Sequence, residues 1–221
     1  MEIKELLAHV SNYSKGRHTT IKYLVLHYTA NNGDTALSNC KYFSGANRNA
    51  SAHYFVDENE VYRSVRDMNV AWHCGSMNGY KHKYCRNTNS IGIEMCSRID
   101  SNGKFYIKEE TIANAIELTK YLMEKYDIKV ENVIRHYDVT GKICPRPFVE
   151  NLEDWKQFKD RLEEEMVKNI QIKLNGKIKT VEAINKNGFN FVKLRDVADD
   201  KINVGYDNIQ ALPYIEVNFP K

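Results

Sequence analysis

In the stretch RHYDVTGKICPRPF, residues 135–148, a histidine, a lysine and a cysteine stand at 136, 142 and 144, just ahead of two prolines. His136 and Cys144 are too far apart for one helical turn, but a loop folding back around Gly141 can aim both side chains at one ion. Far upstream, His27 closes the apolar run IKYLVLHYT, residues 21–29. By itself it reads as a core histidine hydrogen-bonded to backbone. With the other two it makes a set of two imidazole nitrogens and one thiolate, which suits zinc and leaves the fourth tetrahedral position to water. Glu94 adds a carboxylate inside the apolar run SIGIEMC, residues 90–96. Desolvation raises the pKa of such a group into the range where a general base works at neutral pH; the competing reading is a buried salt bridge to an arginine. Lys142 either stabilises a developing oxyanion with its ammonium or is a solvated surface lysine.

The elements that must hold these groups are legible from hydrophobic periodicity. Residues 21–29 and 90–96 read as buried strands, and HYFVDENEVYRSV, residues 53–65, as a hairpin turning near Asp57 to Asn59. Residues 66–89, rich in Gly, Asn and aromatics without regular period, read as a long loop of the kind that often carries function. Ile112, Ala115, Ile116, Thr119, Leu122, Met123 and Tyr126 recur at helical spacing, as do Leu152, Trp155, Phe158 and Leu162. Strands interleaved with helices predict an α/β domain over residues 1–167, with a mixed central β-sheet flanked by helices. Beyond it, IQIKLNGKIKTVEAI, FNFVKLRDVA and NIQALPYIEV are short β-leaning runs between turns, and predict a small β-rich C-terminal domain over 168–221.

Composition narrows the functional classes. With 42% apolar residues, 14 Tyr and 8 Phe, the chain can build a sizeable core. The 32 basic and 29 acidic residues are spread along it and leave a formal charge of +3, too little for the field that a nucleic-acid partner calls for. The sequence contains no apolar run of membrane-spanning length, so membrane insertion is not expected. The opening MEIKELLAHVSNYSKG is charged where a signal peptide is apolar, so the expectation is a protein that begins in the cytoplasm. Cys40, Cys74, Cys85 and Cys96 read as ordinary thiols, although Cys74 and Cys85 bracket the long loop.

Five blocks in order, LVLHYTA, SAHYFVDENEVYRSV, AWHCG, NTNSIGIEMC and RHYDVTGKICP, resemble the N-acetylmuramoyl-L-alanine amidases of the family shared by phage endolysins, T7-type lysozyme and peptidoglycan recognition proteins. The resemblance implies a zinc ion on His27, His136 and Cys144, with peptidoglycan as partner. The bond cut would be the amide between the lactyl group of N-acetylmuramic acid and L-alanine. It implies a proton-transfer role for Glu94, oxyanion stabilisation by Lys142, and substrate contacts from His73 and Asn87, which could instead only order their loop. T7-type members carry a tyrosine just before the histidine of the second block. Here Ala52 stands there, with Tyr54 on the other side of His53, and weight shifts onto Glu94. His53 is either a packing residue or a hydrogen-bond partner of a metal ligand. A non-catalytic peptidoglycan receptor of the same fold is the alternative, and Cys144 argues against it. The implied setting is that of an endolysin released to the cell wall through a holin. The tail more weakly resembles a copper-amine-oxidase N-terminal-like module, without implying copper; appended to such an amidase it would bind the cell wall.

Overall fold

The computed structural model describes every residue except 76–78, 165–166, 175, 187–188, 200, 208–211 and 218–221. Two compact units result, Met1–Glu163 and Glu164–Lys221. The division falls a few residues ahead of the expected one, where the last helix of the first unit ends at Glu163.

In chain order, the strands of the first unit are β1 (Ile3–Glu5), β2 (Tyr13–Ser14), β3 (Tyr23–Tyr28), β4 (Tyr54–Val56), β5 (Val61–Arg63), β6 (Val70–Ala71), β7 (Ser90–Met95), β8 (Arg98–Ile99), β9 (Phe105–Tyr106) and β10 (Val133–Arg135). Its α-helices are α1 (Ala36–Ser44), α2 (Glu109–Tyr126), α3 (His136–Thr140), α4 (Arg146–Glu150) and α5 (Leu152–Glu163). Six strands form one mixed sheet in the order β1-β5-β4-β7-β3-β10. Every pairing in it is parallel except the β4/β5 hairpin. The helices that cover it make this the mixed α/β architecture read from the sequence.

The central strands β3 and β7 are buried almost throughout, which is why they are near-continuous apolar runs rather than alternating ones. Leu24, Leu26, Ile91, Ile93 and Met95 pack against Ala115, Ile116, Leu118 and Leu122 of α2 and against Phe148, Phe158 and Leu162. Ile112, Met123 and Tyr126 of the expected helical stripe lie at the edge of this core, half-buried. Leu152 departs from the pattern: it is the first residue of α5 and is exposed, while Trp155 and Phe158 stack on each other beside Phe148. Six short strands escaped the sequence reading: β1 and β10 at the edges of the large sheet and the two-residue β2, β6, β8 and β9, each too short to show a period.

In the second unit β11 (Val167–Leu174), β12 (Lys177–Lys186) and β13 (Phe189–Val192) form an antiparallel sheet, and β14 (Ile202–Asp207) pairs with β15 (Leu212–Val217). Val181 and Ala183 are its buried apolar residues among those described. Part of the expected NKNG turn and the first four residues of the NIQALPYIEV run fall outside the described residues. No described helix of the chain is long and apolar enough to cross a membrane.

Candidate active site

Three adjacent parallel strands deliver the chemistry to one edge of the sheet. In the β3/β7 register His27 lies opposite Glu94, and in the β3/β10 register Leu26 lies opposite Arg135, so that His136 follows on the level of His27. All three residues emerge at the C-terminal ends of their strands, where open α/β sheets place their ligands. Cys144 arrives by a return loop. Chain direction reverses at Gly141, which ends α3 at φ +85 and whose missing Cβ leaves room for the Lys81 side chain packed there. The Tyr137 N–H then donates to the Cys144 carbonyl at 2.9 Å and closes the loop. Arg135 clamps the base of this turn: its guanidinium grips Asp138 at 2.7 and 3.1 Å and donates to the Phe148 carbonyl at 2.9 Å.

The result is a cluster in which ligand atoms of His27, His136 and Cys144 all lie within 4.8 Å of one another. The rings of His27 and His136 are 4.7 Å apart, and Cys144 Sγ is 3.7 Å from His27 Nδ1. All three residues are buried. Among the described residues neither ring nitrogen of His136 finds a well-formed hydrogen-bond partner, an expensive state for buried polar atoms unless something else binds them. Two neutral imidazoles and a thiol converging in this way fit a zinc ion with one position left over.

Electrostatics points the same way. Burial, with the neighbouring histidines and Lys142 adding to it, holds His27 well below its ordinary value, and burial followed by the Lys142 charge takes His136 down to about 4. Both imidazoles are therefore neutral and free to donate lone pairs. Burial, reinforced by Glu94, pushes the Cys144 thiol up to about 12. A cation bound here must displace that proton, so binding and pH are coupled. Glu94 is raised to about 8, chiefly by burial, with the Lys142 ammonium opposing and Asp34 assisting. Its Oε1 is 4.0 Å from His27 Nδ1, and its buried Oε2 has no hydrogen-bond partner among the described residues. No described arginine pairs with it, which disfavours the salt-bridge reading. The charge of the exposed Lys142 acts on His27, His136, Glu94 and Cys144 alike.

His73 and Asn87 both make contacts within the protein. The His73 ring is turned inwards, 3.0 Å from His27 Nε2 through its Nδ1 and 3.1 Å from Ser90 Oγ through its Nε2. Asn87 Oδ1 accepts from the N–H groups of His73 and Cys74 at 3.1 and 2.8 Å and from Cys74 Sγ. With these atoms committed to the protein, the geometry supports loop ordering rather than substrate contact. His53 accepts from the Gly92 N–H at 3.0 Å and sets its ring edge against His73. Tyr54 points away from the cluster and donates to the buried Asp67 at 2.7 Å, so it does not stand in for the tyrosine of T7-type relatives.

Three participants escaped the sequence reading. Ser90 meets the His73 ring with its hydroxyl, and Arg17 donates to the carbonyls of residues 67, 69, 87, 88 and 90; such contacts leave no signature in a sequence. Gly92 did leave one: a glycine inside an apolar strand marks a close approach, here of His73, whose Cγ would lie 2.5 Å from a Cβ at that position.

The profile of the N-acetylmuramoyl-L-alanine amidase family matches residues 17–147. A probable N-acetylmuramoyl-L-alanine amidase of Bacillus licheniformis is 38% identical over 150 residues, covering 65% of this chain and 41% of that protein. The chain thus spans about two fifths of the length of that curated relative. Among solved structures, the catalytic domain of XlyA is 31% identical and superposes with a TM-score of 0.61, covering 73% of this chain and 99% of that domain. PlyL is 28% identical with the same TM-score, over 74% of this chain and 98% of that one.

Proposed function

Because the chain belongs to the N-acetylmuramoyl-L-alanine amidase family, we propose that its first unit is a zinc-dependent amidase that hydrolyses the bond between N-acetylmuramic acid and the L-alanine of the peptidoglycan stem peptide. The observation that carries this reading is the convergence of His27, His136 and Cys144 with Glu94 opposite His27.

His27, His136 and Cys144 would hold the ion, and a zinc ion in such a site supplies Lewis acidity and an activated water. Glu94 takes the proton from the attacking water and passes it to the amine nitrogen of L-alanine as the C–N bond breaks, so one carboxyl serves as base and then as acid. Its value of about 8 in the ion-free protein suits both directions of transfer near neutrality. Lys142, exposed at the rim, meets the negative charge that develops on the carbonyl oxygen. The buried rings of His27 and His136 stay neutral and keep their geometry while charge moves in front of them.

The second unit is read as a cell-wall-binding module that keeps the amidase on an insoluble substrate. The physiological setting that fits is lysis of a bacterial cell from within, with the enzyme held in the cytoplasm until a holin releases it.

The test is chemical. Protein purified without chelator should carry about one zinc per chain and release fragments with free N-terminal L-alanine from peptidoglycan, without new reducing sugar ends. Appearance of reducing ends in place of free L-alanine would make it a glycosidase and overturn the reading.

A further inference from the structure

The hydrogen bonds behind His27 have a direction that can be worked out from one atom. Ser90 Oγ lies 2.7 Å from the Arg86 carbonyl oxygen. A carbonyl can only accept, so the hydroxyl proton is committed to it. Ser90 must then accept from His73 Nε2–H at 3.1 Å. A neutral His73 protonated on Nε2 carries its lone pair on Nδ1, which therefore accepts from His27 Nε2–H at 3.0 Å. The lone pair of His27 is left on Nδ1, the atom 3.7 Å from Cys144 Sγ.

The positions of these groups are enforced from several sides. Ser90 is fully buried at the start of β7, and His73 is almost so. Asn87 pins the backbone at 73 and 74. Gly92 gives His73 its room, since an added Cβ would meet three ring atoms at 2.5 to 2.9 Å.

We propose that His73 and Ser90 are positioning residues that hold His27 as its Nε2–H tautomer, with Nδ1 presented to the metal, and so set the affinity of the site for zinc. This rests on the reading of His27, His136 and Cys144 as zinc ligands. A partner behind a metal-ligating imidazole fixes both its tautomer and its ring orientation, and loss of such a partner weakens metal binding by about 10- to 100-fold.

The experiment measures zinc affinity of the full chain by competition with a chelator, and the tautomer of His27 in the zinc-free protein by imidazole nitrogen NMR. His73→Ala should bind zinc about 10- to 100-fold more weakly and show His27 as a mixture of tautomers. Ser90→Ala should shift both readouts in the same direction by less. His73→Gln, whose amide can accept from His27 and donate to Ser90, should recover most of the loss. Should His73→Ala fail to fold, Ser90→Ala decides, because it removes a single atom from a packed position. Folded variants that bind zinc within about twofold of the parent, with the His27 tautomer unchanged, would overturn the inference alone. A parent protein that binds no zinc would overturn the proposed function with it.

Discussion

Arg17 offers the strongest test of how the site is held from outside. Its guanidinium donates to the carbonyls of Asp67, Asn69, Asn87, Thr88 and Ser90 and contacts His53 Nε2 at 2.9 Å. One side chain thereby ties residues 67–69 to residues 87–90, the two ends of the loop that carries His73. Hydrogen bonds from a charged donor contribute about 1.5 to 3 kcal/mol each, so five would sum to more than 7 kcal/mol if they were independent. They are not: Nη1 and Nη2 are each shared among acceptors, and Arg17 is only partly buried, so water replaces some of what is lost. Arg17→Ala is therefore expected to destabilise the first unit by about 3 to 5 kcal/mol. Arg17→Lys should recover less than half, because an ammonium cannot span the same fork of acceptors. Urea unfolding followed by tryptophan fluorescence isolates the relevant unit, since both tryptophans of the chain, Trp72 and Trp155, lie in it. Trp72 sits beside the affected loop, with its indole N–H on Ser14 at 3.0 Å. A loss below about 1 kcal/mol for Arg17→Ala, or an Arg17→Lys variant as stable as the parent, would refute this account.

Other outcomes follow from the same structure. Glu94→Gln should keep zinc and fold but lose about 100- to 10,000-fold in turnover, as measured by release of free L-alanine; near-parental turnover would remove Glu94 from proton transfer. Lys142→Ala should lower kcat by about 100-fold with zinc content unchanged. Asp67 is a pH-dependent brace: burial alone would raise its carboxyl, but hydrogen bonds from Lys125, Tyr126 and Tyr54 and the Lys125 charge bring it below the ordinary 3.8. A lowered acid stabilises the fold fully above its unfolded value and ceases to do so as pH falls through the lowered one. Asp67→Asn should thus be less stable at pH 7 and show a flatter loss of stability in acid titration below pH 3.8; an unchanged acid profile would contradict it. Residues 164–221 should retain the full chain on purified cell walls, and a chain lacking them that sediments equally well would exclude a wall-binding role.

Much of the fold could be read before it was seen, for identifiable reasons. Strands β3 and β7 are buried on both faces, so their sequences are nearly continuous apolar runs, and α2 shows a clean stripe because one face meets the sheet. The three candidate ligands were visible as residues. That they meet depends on parallel register between strands far apart in the chain, which periodicity does not encode and only the ordered motif blocks suggested. His73 was seen as a loop histidine, and its turn inward could not be, because its partners His27 and Ser90 are 46 and 17 residues away. The brace at Asp67 and the fork at Arg17 were invisible for a related reason. Their strength comes from burial and from several simultaneous acceptors or donors, properties of the assembled molecule rather than of any short stretch.

The wide separation of the cluster in the chain has a consequence for biosynthesis. His27 and Cys144 lie 117 residues apart, and the intervening chain must be made before they can meet. At about 5 to 20 residues per second the ribosome needs about 6 to 23 s to get from one to the other. Throughout that interval the growing chain cannot close the cage around an ion, however complete its first strands are. On the proposed reading, an amidase built in this order would be inert until its domain is nearly finished, and a product terminated before Cys144 would lack one of the three candidate ligands.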